Sequence, residues 1–336
     1  MRAEQRVEAY AVCRTSRDGG GVVLARASAL SDLRGRWFLP GGGLEHGEDP
    51  AAAVVRGYAA ATGREVEVTG LRDVLDDVLE LPHRAASIHT VRIVFDVREV
   101  ADGATVDPVP TAADGIIDRV AVVGVDDADD LPLMPFAARV LGLSRPDPVV
   151  PVPPDLPPGG SAAGGLPAPT RVRRQRVGVY GVVESDGHVL LTRLSARTPA
   201  PGRWTLPGGG IHHGEPVRRA LDRELHEESG LRLRSGRLRA AVSHRFLGTS
   251  PAGIAEDYHG VQVLFTGRVD RDTDGAPPRP RVVEAEGTTD AVAWVPLVDA
   301  HALGLTGMAA HGLTLLAEGA PGGGALPDPA AVAPIA

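Results

Sequence analysis

The sequence predicts a mixed α/β protein built as two copies of one domain. Three observations predict it. Strand-like alternation and helix-like stretches follow one another in each half, the two halves share residues in the same order, and a stretch rich in proline and glycine separates them. At 336 residues the chain is long for one domain, which fits two.

The repeat is read segment by segment. Gln5-Arg6-Val7 is matched by Gln175-Arg176-Val177, and Tyr10 by Tyr180. Arg36-Trp37-Phe38-Leu39-Pro40-Gly41-Gly42-Gly43 is matched by Arg203-Trp204-Thr205-Leu206-Pro207-Gly208-Gly209-Gly210, and His89-Thr90-Val91-Arg92-Ile93-Val94-Phe95 by His259-Gly260-Val261-Gln262-Val263-Leu264-Phe265. The period is far too long for a solenoid, so this is a tandem duplication. The expected domains are 1–143 and 171–317. Between them 144–170 is a linker, in which repeated proline and glycine prevent regular structure, and 318–336 is a disordered tail of the same character.

In the second half, strands are expected at 177–183 and 188–193 around the Asp186-Gly187 turn. A helix is expected at 216–229, with Pro216 in the first helical position and Gly230 in the left-handed position that ends it. Strands at 261–269 and 292–296 and a last helix at 307–316 complete the half.

Composition narrows the function. The net charge of −8 argues against a protein that coats nucleic-acid phosphates. All basic residues are arginine, and no apolar run is long enough to span a membrane. The N-terminus lacks a signal-peptide core, so a soluble cytoplasmic protein is expected. Cys13 stands alone, which excludes an intrachain disulfide and a thiolate metal site.

The chemistry lies on the expected helix. Arg223, Glu224, Glu227 and Glu228 fall at i, i+1, i+4 and i+5, so the three glutamates share one face, beside the apolar stripe of Val217, Leu221 and Leu225. Like charges at this spacing repel, and a half-buried carboxylate cluster is costly unless cations neutralise it. Oxygen donors of this kind suit Mg²⁺ or Mn²⁺. Arg223 offsets part of the charge and orients a glutamate. Ahead of the helix, Gly208 and Gly209 let the backbone approach a ligand, and a carbonyl there completes a cation's shell.

From Gly209 to Leu231 the chain resembles the Nudix box, G-x5-E-x7-R-E-U-x-E-E-x-G-U with U aliphatic, through Gly209, Glu215, Arg223, Glu224, Leu225, Glu227, Glu228, Gly230 and Leu231. The resemblance extends over both halves and implies an α/β/α sandwich with a mixed sheet in each. It implies a hydrolase acting on a nucleoside diphosphate linked to another moiety, with Glu224, Glu227, Glu228 and the Gly209 carbonyl holding Mg²⁺ or Mn²⁺. Gly208 and Gly209 are expected near the substrate, and Glu215 is expected to stabilise the junction of loop and helix. Arg193, at the end of a strand leading into the site, is either a phosphate contact or an exposed strand-end arginine. The implied partner is a small-molecule substrate, with no membrane and no nucleic acid. Both a monomer, in which the tandem pair stands in for a dimer, and a homodimer stay open. The competing reading is a non-catalytic nucleotide sensor, and metal-dependent turnover separates the two.

The first half keeps Gly42, Glu48, Arg56 and Gly63 of that pattern but has Gly57, Ala60 and Ala61 at the carboxylate positions. None can ligate a cation through its side chain, so the fold is expected to persist without the chemistry. Gly57 inside a helix costs about 1 kcal/mol against Ala, as suits a site freed from catalysis. The half is then either a structural domain or a ligand-binding pseudo-enzyme. His46, His212 and His213 read as loop residues, His89 and His259 as structural histidines, and Trp37 and Trp204 as packing residues. Asp290, matched by Asp118, reads as structural, while Glu284 and Glu286 are weaker candidates for an additional acid or base.

Overall fold

The structure, a computed structural model, describes residues 1–15, 20–100, 109–111, 114–143, 149–154, 171–249, 253–270, 275–284 and 287–318. The tail 319–336 and most of the expected linker lie outside them. The first half runs β1 (Arg2–Thr15), β2 (Gly21–Ala27), β3 (Trp37–Phe38), β4 (Gly41–Gly43), α1 (Pro50–Thr62), β5 (Val66–Leu81), β6 (Ala86–Glu99), β7 (Ile117–Val123), α2 (Val125–Ala128) and α3 (Pro135–Leu141). The second runs β8 (Val172–Ser185), β9 (His188–Leu194), β10 (Trp204–Thr205), β11 (Gly208–Gly210), α4 (Val217–Ser229), β12 (Leu233–Thr249), β13 (Ala255–Val269), β14 (Thr289–Pro296), α5 (Leu297–Ala300) and α6 (Gly307–Ala317).

The two sheets have one topology. The first is ordered β3-β2-β1-β6-β5, with β4 on β1 and β7 on β2; the second is ordered β10-β9-β8-β13-β12, with β11 on β8 and β14 on β9. In the first, β1 runs parallel to β6 and antiparallel to β2 and β4, so the sheet is mixed. The described chain divides into two compact units, Met1–Gln175 with Arg245–His259, and Arg176–His244 with Gly260–Ala336. Part of the linker is ordered against the first unit, since Val152 N–H donates to the Asp32 carbonyl at 3.0 Å.

Alternation along the strands builds the layers. Val182, Val189 and Leu191 face one side, where they pack with Ala309 and Leu313 of α6. Val183 and Leu190 face the other, where they pack with Leu225 of α4. Full burial of Leu225 contributes about 1.5–3 kcal/mol. The sheet thus lies between helices on both faces, the α/β/α sandwich expected. No helix among the described residues is long and apolar enough to cross a membrane.

The caps that start the two equivalent helices differ. In α1, Pro50 takes the first helical position and the Asp49 side chain accepts from Ala51 N–H at 2.9 Å. In α4, Pro216 sits one place earlier than expected, as the N-cap with ψ 137°, and Val217 begins the helix. Both helices end on a left-handed glycine, Gly63 and Gly230, each at φ 70°.

Candidate active site

The glycine loop is held by a close backbone approach. Gly208 has φ +147°, and a Cβ there would lie 2.2 Å from the Val179 carbonyl oxygen, so no side chain fits. A Cβ on Gly209 would lie 2.6 Å from a carboxylate oxygen of Glu224, which places that carboxylate directly over the loop.

Arg223 is the organising cation. Its Nε donates to Glu215 Oε1 at 2.8 Å, and its Nη2 to Glu215 Oε2 at 3.0 Å and to the Gly210 carbonyl at 2.9 Å. Its Nη1 donates to Glu224 Oε1 at 2.7 Å and to Glu227 Oε2 at 3.0 Å. Glu215 also accepts from His212 N–H at 3.0 Å. The Arg223 hydrogen bonds hold the Glu215 carboxyl below the usual range and raise the guanidinium.

Glu228 lies apart from this network. It is 6% exposed and on the buried stripe of α4 with Leu221 and Leu225. Its Oε2 accepts from Gly208 N–H at 2.9 Å and its Oε1 from the Thr289 hydroxyl at 2.5 Å. Among the described residues no arginine or histidine pairs with it. Burial pushes its carboxyl up to about 7, opposed by the Thr289 and Gly208 hydrogen bonds and reinforced by the charges of Glu224 and Glu227. Burial also raises Glu224, against the pull of Arg223.

The donor chemistry fits a divalent cation. A buried carboxylate without a counter-ion, next to two more carboxylates, is the arrangement that a hard cation stabilises. The three glutamates are not gathered as a ready cation site among the described residues. Glu224 and Glu227 turn to Arg223, while Glu228 turns to Gly208 and Thr289. A Cβ on Gly178 would lie 3.0 Å from the Gly209 carbonyl oxygen, so glycine there keeps a side chain off it, while Gly209 itself pairs opposite Val179 of β8.

The other sequence-predicted residues are placed as follows. Arg193 pairs with Asp290, Nε to Oδ1 at 2.7 Å, and Arg26 pairs with Asp118 at 2.8 Å at the matching place in the first half. In both halves that aspartate sits at a β-bulge. The Glu284 N–H donates to the Glu227 carbonyl at 3.0 Å, which anchors Glu284 beside the last turn of α4. Glu286 lies outside the described residues. His46 Nε2 lies 3.1 Å from Asp257 Oδ1 within the first compact unit, and buried His259 pairs with Gln175 at 3.0 Å. Trp37 is buried in the first core, and Trp204 packs against the second. Cys13 is free and buried.

Thr289 was not singled out from the sequence. It lies far from the box, and only its register place at the bulge, opposite Leu194, turns it towards Glu228.

In the first half, the Arg56 fork to Glu48 is kept at 2.7 Å on both arms, with a third bond to the Gly43 carbonyl at 2.8 Å. A Cβ on Gly57 would meet the Gly41 carbonyl carbon at 3.0 Å, so α1 lies against its loop. Gly57 also stands at a tight approach, where a Cβ would press on the Gly41 backbone. The place of Gly178 is taken by Glu8, which accepts from Tyr10 Oη at 2.8 Å and lies 3.5 Å from Nε of buried Arg92. Arg92 in turn lies 2.6 Å from Asp77 and 4.7 Å from the Phe136 ring centre.

A family model described as the NUDIX domain matches residues 5–142 and again 172–314. The nucleoside triphosphatase NudI of Klebsiella pneumoniae is 43% identical over 61 residues, 18% of this chain and 43% of the relative, and that of Salmonella agona matches to the same extent. The match thus spans less than half the length of those curated relatives. The crystal structure of a MutT NUDIX hydrolase from Burkholderia pseudomallei is 30% identical, covering 43% of this chain and 98% of that one, with a TM-score of 0.35. With matches that together take in most of both halves, the chain belongs to the Nudix family and carries two domains of that family in tandem.

Proposed function

We propose that the second half hydrolyses a pyrophosphate linkage in a nucleoside diphosphate joined to another moiety. The observation that carries the reading is Glu228: a buried carboxylate without a counter-ion among the described residues, beside Glu224 and Glu227 and against a loop built to admit backbone only. Such a group is costly to bury, and carboxylates perturbed in this way cluster where a cation or a proton is handled.

Glu224, Glu227, Glu228 and the Gly209 carbonyl would hold Mg²⁺ or Mn²⁺. When bound, the cation supplies positive charge against the pyrophosphate oxygens and makes water more acidic. In the reaction a water oxygen bonds to one phosphorus, the bond from that phosphorus to the bridging oxygen breaks, and the water's proton passes to a carboxylate. Glu224 and Glu227 are candidates for that carboxylate. Glu284 is another, supported by its anchoring to the Glu227 carbonyl.

Arg223 joins loop and helix through Glu215 and Gly210 and orients Glu224 and Glu227 with its remaining arm. The Gly208 N–H is committed to Glu228, so its part is to hold that carboxylate near the substrate. Arg193 stays a candidate phosphate contact, although its pairing with Asp290 is shared with the half that lacks the glutamates. We assign the first half, 1–143, a structural role without turnover, and 171–317 the catalytic one.

The test is Mg²⁺-dependent hydrolysis of nucleoside triphosphates, nucleotide sugars and dinucleotides, read by mass spectrometry, for wild type and Glu227→Gln. Turnover of one class that is lost in the variant is expected. Binding without any turnover would instead make the protein a sensor.

A further inference from the structure

We propose that Thr289 is a positioning residue that orients Glu228 as a cation ligand. The inference rests on the reading of the second half as the cation-dependent site.

Three observations support it. The Thr289 hydroxyl donates to Glu228 Oε1 at 2.5 Å while Gly208 N–H donates to Oε2 at 2.9 Å, so both carboxylate oxygens are gripped from protein donors and the carboxylate plane is fixed. A carboxylate has about four lone-pair positions. Two donors use one on each oxygen and leave one on each for a cation. Both partners are buried, 6% exposed each, where a charge-assisted hydrogen bond is strong and a missing one is costly.

The duplication itself supplies the third observation. Thr289 stands opposite Leu194 in β9, and Ile117 stands opposite Ala27 at the same bulge in the first half, just before the paired Asp290 and Asp118. The frame around them is the same in both halves: Ser195 N–H bonds to the Thr288 carbonyl and Ser28 N–H to the Ile116 carbonyl, each at 2.8 Å. Within this common frame, Glu228 is replaced by Ala61 and Thr289 by Ile117. The hydroxyl is present where the carboxylate is present and absent where it is absent. If Thr289 only packed the strand against the helix, the shared frame would not tie its polarity to Glu228.

The experiment is the affinity of the full chain for Mn²⁺ alone, measured by titration calorimetry, for wild type, Glu228→Gln, Thr289→Val and Thr289→Ser, with melting temperatures recorded alongside. Loss of an outer partner of a metal ligand lowers affinity by about 10–100-fold. Thr289→Val is expected to show that loss, and Thr289→Ser, which keeps the hydroxyl, to stay within about 3-fold of wild type. Wild-type affinity in Thr289→Val overturns the proposal, as does an equal loss in Val and Ser variants that both melt like wild type. Should Thr289→Val not fold, Thr289→Ala takes its place with the same expectation. If wild type shows no binding that Glu228→Gln removes, it is the cation-dependent reading of the site that fails, and a loss confined to Thr289→Val is then impossible.

Discussion

The two halves share a sheet, a loop and an arginine fork, and they differ at the few atoms on which the proposed chemistry depends. Arg56 holds Glu48 and the Gly43 carbonyl as Arg223 holds Glu215 and the Gly210 carbonyl. Arg26–Asp118 and Arg193–Asp290 mark the same bulge. These features belong to the fold, because they persist without the glutamates. Where Glu224 stands over the loop in the second half, the first has Gly57 and brings the helix onto the loop. Where Glu228 meets Thr289, the first half has Ala61 and Ile117, both apolar and buried. Where Gly178 carries no side chain against the Gly209 carbonyl, the first half has Glu8 engaged with Tyr10 and Arg92. A duplicated domain thus separates what holds the loop from what the loop serves.

The largest stability effect is expected from restoring one carboxylate in the wrong half. Ala61→Glu would bury a charge at a position 1% exposed, with Ile117 in place of a hydroxyl donor. It should cost about 3 kcal/mol or more in chemical denaturation. A variant as stable as wild type would show that the first half still keeps a place for the carboxylate.

A smaller effect, equal in the two halves, is expected from the fork. Glu48 and Glu215 are both held below the ordinary value of 4.5: burial raises Glu48, but the Arg56 bonds and charge together with the Glu45 N–H bond outweigh it, and the Arg223 bonds lower Glu215. A depressed carboxylate contributes stability that is complete above about pH 4.5 and is lost as the pH falls below it. Glu48→Gln and Glu215→Gln should each cost about 1 kcal/mol at neutral pH, discounted for the exposure of the arginines, and the difference from wild type should shrink on acidification. A cost seen in one half alone would break the claim that the fork is common structure.

The smallest effect is a question of sign. Ala is favoured over Gly inside a helix by about 1 kcal/mol. Gly57→Ala should nevertheless lower stability, by about 1 kcal/mol net, because its Cβ would press on the Gly41 backbone at 3.0 Å. Gly41 is itself paired opposite Tyr10 of β1, which resists its retreat. A raised midpoint in denaturation would contradict the close approach.

The duplication, the helix and the box could be read from the sequence because each is a local pattern: matching segments, 3.6-residue spacing, and glycine where the backbone needs it. The α/β/α layering followed from the family resemblance, and the strands bear it out through Val182 and Val183, which face opposite helices. What spacing could not show was a pairing made in three dimensions. Thr289 is 61 residues from Glu228 and reaches it only through a bulge. The spacing of the three glutamates predicts their shared helix face, and α4 carries all three; it does not predict that Arg223 draws two of them one way while burial sets Glu228 apart. The segment Arg245–His259 lies inside the second stretch of the family match, yet it clusters by contact with the first compact unit, through partners such as His46 that no linear pattern announces.

The most direct test of the central claim, that the chemistry belongs to the second half alone, is Mg²⁺-dependent pyrophosphate hydrolysis by the full chain carrying Glu228→Gln, compared with Glu48→Gln. Loss of a group that stabilises transition-state charge lowers turnover by about 10²–10³-fold, and that is the result expected for Glu228→Gln, with Glu48→Gln within about 3-fold of wild type. Turnover retained by Glu228→Gln and lost in Glu48→Gln would contradict the account.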